Sequence, residues 1–371
     1  MPELTATRSS RVDVLRGVAI LSVLLLHFSL TYHLAEGPWT AVIPAAFIHA
    51  LVDNGNYGVT LFFVVSGFLI TSNNLRRFGE LSAVRLSSFY TYRAARILPP
   101  LLLALALIVP LGLAHLPSFD NVQHGAPLPR AFFLVVVLSV LTFWHNVLME
   151  VHGYFNYCLN IYWSLSVEEV FYLTFPVACL LLKRRALIVV LCLGAIAFAP
   201  VYRGWHRDDE LYFMYGYPAC FDAIALGCLT ALVSRHFSTH QRTGAVLRLC
   251  AWLGIAATYL AGIDGHEVFG FSVIALFAAV LLLGALDPGR EPRLPARWLG
   301  WLGRHSYELY LFHIALLGGL RDLLPRQALA AWLKWPLLML FVLASCFVAH
   351  LVARCIADPL NTGLRRRLAR Q

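Results

Sequence analysis

The sequence predicts an all-α, polytopic membrane protein: a helical bundle of about ten transmembrane helices plus one re-entrant segment, with both termini cytoplasmic. Three observations predict it. Of 371 residues, 59% are hydrophobic, and the mean hydropathy is +0.70. Only 13% are charged, against about 25% in a soluble globular domain. Apolar runs recur to the C-terminus, separated by short arginine-rich stretches. No separate soluble domain is visible, so the expectation is a single membrane domain over 1–371.

The first run, residues 11–32, reads RVDVLRGVAILSVLLLHFSLTY and is long enough to cross a bilayer once. Its length and its ionisable residues argue against a cleaved leader. Residues 33–57 carry no Lys or Arg, and the apolar stretch 41–52 within them is too short to span. A short span follows over 58–73, then a basic stretch over 74–97. Pro99-Pro100 opens a run to 114, since proline is tolerated in a first helical turn. Residues 131–149 form another run, ending in the polar FWHNVLME. Next comes 163–182, WSLSVEEVFYLTFPVACLLL, closed by Lys183-Arg184-Arg185. Further runs cover about 186–202, 218–234, 246–263, 269–286, 305–320 and 335–357.

Basic residues in short loops stay cytoplasmic, and this sets the orientation. With the N-terminus inside, the cluster at 76–96 returns inside after two spans. Three crossings between 96 and 183 would strand Lys183-Arg184-Arg185 outside. The run 131–149 is therefore read as re-entrant or surface-lying. The net charge of +9 is mostly arginine in these loops and tails, a pattern of membrane orientation and lipid contact, not of nucleic-acid binding. Eight cysteines include no CxxC pair, so neither a zinc site nor a disulfide framework is indicated. Cys158 and Cys220 fall near the outer surface, where a disulfide is chemically allowed; free thiols are the ordinary expectation.

The first run carries the chemistry. Asp13, Arg16 and His27 lie within it, and ionisable side chains at membrane depth mark a protein interior or a functional path. Arg16 and His27 are three helical turns apart, on nearly one face, with His27 about 16 Å further along the axis. Counting depth down the helices puts Glu168, Glu169 and Ser66 near the level of His27. A histidine beside a carboxylate is oriented for general-base work; the alternative is a buried pair that holds helices together. Arg93 and Arg96 form an RxxR, which suits a phosphate-bearing ligand, while lipid-headgroup anchoring is the bland alternative. His313, in SYELYLFHIALL, is a further intramembrane candidate. Asp222, at a predicted helix start, is read as a cap or dipole partner. No HExxH, Walker loop or GxSxG occurs.

Five stretches resemble the acyltransferase 3 family of integral membrane acyltransferases: RVDVLRGVAILSVLLLH (11–27), GVTLFFVVSGFLI (58–70), FYTYRAARILPP (89–100), WSLSVEEVFYLTFP (163–176) and SYELYLFH (306–313). They follow the family's order over most of the chain, whereas 186–304 matches only in hydrophobic rhythm. The resemblance is to the stand-alone form, without a fused SGNH hydrolase-like domain. It implies transfer of an acyl group, commonly acetyl, from cytoplasmic acyl-CoA to hydroxyls of sugars or glycans. His27 and Glu168 would then be catalytic. Arg16, Arg93 and Arg96 would hold acyl-CoA, and Ser66, Glu169, His313 and Asp13 would lend support. Acyl-CoA enters as co-substrate; no bound cofactor or metal is implied. The expected location is the cell inner membrane, with several crossings. His27 would act as base, oriented by Glu168 or another acid, or would carry the acyl group itself. The rival from another class is a proton-coupled transporter or flippase that uses the same His and Glu as a relay and the arginines as an anion gate.

Overall fold

The computed structural model describes residues 9–234, 241–285 and 294–368. They are almost wholly helical, apart from a two-residue hairpin pairing Val122 with Pro127 and Gln123 with Ala126. In chain order the helices are α1 (Ser10–Tyr32), α2 (Ala45–Val52), α3 (Asn56–Phe78), α4 (Leu86–Leu113), α5 (Phe132–Leu141), α6 (His145–His152), α7 (Trp163–Leu182) and α8 (Arg185–Trp205). They continue with α9 (Glu210–Tyr215), α10 (Tyr217–Ser234), α11 (Gln241–Ala261), α12 (Gly270–Leu282), α13 (Leu294–Arg304), α14 (Ser306–Leu323), α15 (Lys334–Val352) and α16 (Asp358–Leu368). Among the described residues, eight helices are long and apolar enough to cross a membrane. The chain is a multi-pass membrane protein.

The centre of the bundle is α1, which packs against α3, α12, α13, α14 and α15. Leu15, Ile20 and Val23 are fully buried, as expected of a helix that is apolar on every side. Lipid is as apolar as leucine, so close packing rather than burial from water holds such helices together. The contact of α3 with α10 shows how close. A Cβ on Gly67 would stand 2.0 Å from the Ile224 carbonyl oxygen, and one on Gly227 would stand 2.0 Å from that of Val64. The two backbones touch at these glycines. Leu191, Leu253, Leu340 and Leu343 point outward and are exposed, as a lipid-facing surface requires.

Three expectations change at the element level. The short span at 58–73 is the middle of α3, which has 23 residues. The proline pair does not open a helix: α4 runs for 28 residues straight through Pro99, Pro100 and Pro110. Membrane helices tolerate prolines where neighbouring helices pack against the break; here Tyr307 on α14 donates to the Ile97 carbonyl, two residues before Pro99, at 2.8 Å. Of the run at 269–286, the described residues, 269–285, are helical only over the 13 residues of α12.

The re-entrant reading of 131–149 matches what the segment does. It splits into α5, of 10 residues, and α6, of 8, around Phe143, which has φ +65°. At about 1.5 Å per residue neither piece crosses a ~30 Å hydrocarbon core. Asp222 is not a cap. It lies inside α10, 1% exposed, in an ion pair of 2.8 Å with the fully buried Arg203 of α8. Ser272 of α12 donates to Asp222 at 2.5 Å, and Arg203 Nε donates to the Val268 carbonyl at 2.8 Å. This network ties three helices through one buried pair. All eight cysteines are free thiols, Cys158 and Cys220 included.

Candidate active site

His27 lies in the last third of α1, and its partner is His313 of α14 rather than a carboxylate. His313 Nε2 is 3.1 Å from His27 Nδ1. His27 Nδ1 also lies 3.0 Å from the Val23 carbonyl. His313 Nδ1 faces two carbonyls, Leu309 at 3.0 Å and Tyr310 at 2.9 Å. Carbonyl oxygens only accept, so in a neutral pair His313 carries its proton on Nδ1 and its Nε2 is bare. That bare nitrogen accepts from His27 Nδ1–H. His27 Nε2 is then left with a lone pair, the form a general base requires. His313 is fully buried, whereas His27 lines a cavity of about 1880 Å³.

The arginines line a second cavity, of about 810 Å³, together with Ser66, Glu168, Glu169 and Tyr172. Arg16 donates to Ser306 Oγ at 2.7 Å, which fixes it between α1 and the start of α14. The Arg93 guanidinium lies 3.9 Å from the centroid of the Tyr172 ring. Arg77 sits similarly over Tyr92, at 4.1 Å. Such stacking holds a guanidinium in place while leaving its donors to a ligand. Arg96 lines the same cavity. The RxxR therefore sits within α4 rather than in a loop; Arg93 is half-buried and Arg96 exposed, and both line this cavity.

Glu168 belongs to this cavity. Ser66 donates to it at 2.8 Å and Tyr172 at 3.2 Å, and Tyr172 also donates to Ser66 at 2.9 Å. The depth count that placed Glu168 and Ser66 beside His27, and made Glu168 its orienting acid, is corrected accordingly. It took residue 163 as the outer surface. The preceding segment is itself inside the protein: Phe155, Asn156, Cys158 and Leu159 are each 2% exposed or less. Helix α7 therefore does not start at a surface, and its Glu168 and Glu169 line the donor cavity instead. Glu169 is buried beside Glu168, with one carboxylate oxygen lacking a hydrogen-bond partner. Asp13 is buried on α1, where it packs against α13 at Gly303. It lines neither cavity.

Among the described residues, the two cavities share two lining side chains, Val59 of α3 and Tyr310 of α14. Tyr310 is held by a hydrogen bond to the Ile161 carbonyl at 2.8 Å and by Ser164 Oγ at 2.6 Å. Its ring centroid is 5.9 Å from that of His313. Sequence reasoning missed Tyr310 and Tyr172. Both carried a signal: Tyr172 is one turn after Glu168, and Tyr310 is three residues before His313. Thr31, one turn after His27, meets Tyr157 OH at 2.6 Å and extends the polar wall of the larger cavity.

A family model described as an acyltransferase domain matches residues 9–351. The chain belongs to this acyltransferase family. The activity, the group moved and the acceptor are taken up below. The chain is 26% identical to a Bacillus subtilis protein named "Putative peptidoglycan O-acetyltransferase YrhL", over 97% of this chain and 56% of that one. It is 24% identical to the peptidoglycan O-acetyltransferase OatA of Listeria monocytogenes, over 96% of this chain and 57% of that one. A Staphylococcus aureus (strain COL) protein named "Putative O-acetyltransferase SACOL0978" is 23% identical over 82% of this chain and 50% of that one. The chain spans about half the length of the curated relatives it matches. No solved structure matches it.

Proposed function

We propose that this chain is an O-acyltransferase that moves an acyl group, acetyl first among them, from acyl-CoA to a hydroxyl of a carbohydrate or glycan. One observation carries the reading. An arginine-lined cavity and a histidine-lined cavity meet at Val59 and Tyr310, and α1 supplies Arg16 to the first and His27 to the second. Family membership and O-acetyltransferase relatives support it.

Acyl-CoA binds in the arginine cavity, its phosphates held by Arg93 and Arg96, with Arg16 fixed nearby by Ser306. The thioester end reaches past Tyr310 toward His27. The acceptor hydroxyl enters the larger cavity and gives its proton to His27 Nε2 as its oxygen attacks the thioester carbonyl. The carbon–sulfur bond breaks, and the thiolate takes that proton from the imidazolium. The products are an ester and free CoA, with no net proton released. Holding both reactants at one aperture supplies much of the remaining acceleration. An acyl-histidine route uses the same bare nitrogen as nucleophile. Glu168, fixed by Ser66 and Tyr172, balances the arginine charge beside the donor and does not serve as the base's partner. With the basic segments cytoplasmic, the arginine cavity faces the cytoplasm of an inner-membrane protein.

The test uses purified protein in lipid nanodiscs, with acetyl-CoA added and free CoA followed. Release by wild type that falls to background in His27→Ala is the expected result. Absence of both release and CoA binding in wild type would return the transporter reading.

A further inference from the structure

The two cavities differ in sign as well as in place. Among the described residues, five arginines and two glutamates line the donor cavity, which leaves three positive charges. The His27 cavity is lined by seven carboxylates against three arginines, which leaves four negative charges. Protonating all four of its histidines, His27, His33, His49 and His124, would only balance them.

Most of the carboxylates are held by hydrogen bonds, while Asp53, Asp120 and Asp208 also face a basic side chain: His49 at 2.6 Å, His115 at 2.7 Å and Arg207 at 3.9 Å. Asp322 accepts from Ser118 N at 3.2 Å and from Ser118 Oγ at 2.6 Å. Asp53 accepts from Ser29 at 2.8 Å and meets His49 Nδ1 at 2.6 Å. Glu210 accepts from Tyr154 OH at 3.0 Å, and Glu267 from Gly265 N at 2.7 Å. Of the three arginines, Arg326 is engaged by Glu36, and Arg207 lies 3.9 Å from Asp208. Arg321 is placed over the Tyr157 ring, 4.8 Å from its centroid. Tyr154, Tyr157, Trp163 and Tyr215 line the same cavity, and the exposed ring of Tyr154 offers a face on which a sugar ring stacks.

We infer that the His27 cavity selects its acceptor by charge: it takes a glycan that is neutral or carries amino groups, and excludes one bearing carboxylate or phosphate near the reacting hydroxyl. A cleft lined by one sign of charge focuses the field and raises the local concentration of the opposite sign by about 10- to 1000-fold. The same field repels an anionic sugar from the base. The inference rests on reading this cavity as the acceptor site.

The test places reporter thiols in the full-length protein, in a background where Cys250, Cys346 and Cys355 are alanine. Ala50→Cys and Leu30→Cys put a thiol on the His27 cavity, and Leu69→Cys puts one on the donor cavity. Each is labelled with a trimethylammonium and with a sulfonate methanethiosulfonate. Rates are normalised to a thiol free in solution. The expected cation-to-anion rate ratio is about tenfold at Ala50→Cys and Leu30→Cys, and below one at Leu69→Cys. High salt should bring all three toward one. A ratio at or below one at both His27-cavity reporters overturns the inference. In a transfer assay pairing chitosan tetramer with tetragalacturonate, more label on the anionic sugar also overturns it. Labelling needs no turnover, so its result stands apart from the CoA-release test. A polar cavity in a protein that neither binds nor cleaves acetyl-CoA would defeat the acyl-transfer reading alone.

Discussion

His313 decides what His27 does. Its Nδ1 is pinned by two carbonyls, so its Nε2 accepts, and that sets the proton on His27 Nδ1 and the lone pair on Nε2. His313 acts through His27 and is a positioning residue. His313→Phe should therefore lower kcat by about 100-fold or more, the usual worth of a general base. It should leave the KM for acetyl-CoA within about threefold, because His313 does not line the donor cavity. A purely structural role would raise KM and lower the melting temperature as well, and that split decides between them. His27 and Arg16 stood out in sequence as ionisable residues in an apolar run, and Arg93 and Arg96 by their RxxR spacing. The pairing of His27 with His313 was not. The two residues are 286 apart, and a glutamate looked the better partner by depth. Depth counting fails when the chain before a helix is buried, as Phe155 to Leu159 are.

At the scale of elements, most helices were readable from hydropathy, including the broken 131–149 segment. The lengths of α3 and α4 were not, because tertiary contacts carry α4 through three prolines that end helices in isolation. Arg203 and Asp222 are the clearest element-level device. The pair is wholly buried and joins α8, α10 and α12. Removing one partner leaves an uncompensated charge, worth about 3–5 kcal/mol. Arg203→Leu and Asp222→Leu should each lower thermal stability strongly in detergent, and the double variant should recover part of the loss. Additive losses would mean that the pair is not coupled. Glu150, on the last turn of α6 and outside the long helices, gives a pH signature. Burial pushes its carboxyl up to about 7. Its folded value then lies above the unfolded value of about 4.3, so the folded state holds this proton more tightly. Its contribution is fully present below about pH 4 and is lost as pH rises to about 7. The melting temperature of wild type should fall over that window relative to Glu150→Gln. Parallel profiles for the two proteins would show that Glu150 plays no part.

At the scale of the whole molecule, two cavities of opposite charge meet at one narrow place, spanned along α1 from Arg16 to His27. These two groups are eleven positions apart, about 16 Å of helix, so donor binding and chemistry fall in different chambers. That partition is the central claim, and equilibrium binding set beside turnover tests it most directly. Acetyl-CoA affinity by calorimetry and CoA release should be measured on wild type, on His27→Ala and on the pair Arg93→Ala/Arg96→Ala, all in nanodiscs. The account predicts that His27→Ala binds acetyl-CoA like wild type and releases no CoA. It predicts that the arginine variant loses affinity by about 10- to 100-fold, the loss of one to two charge-assisted contacts. Loss of acetyl-CoA binding in His27→Ala, or undiminished binding in the arginine variant, would contradict it.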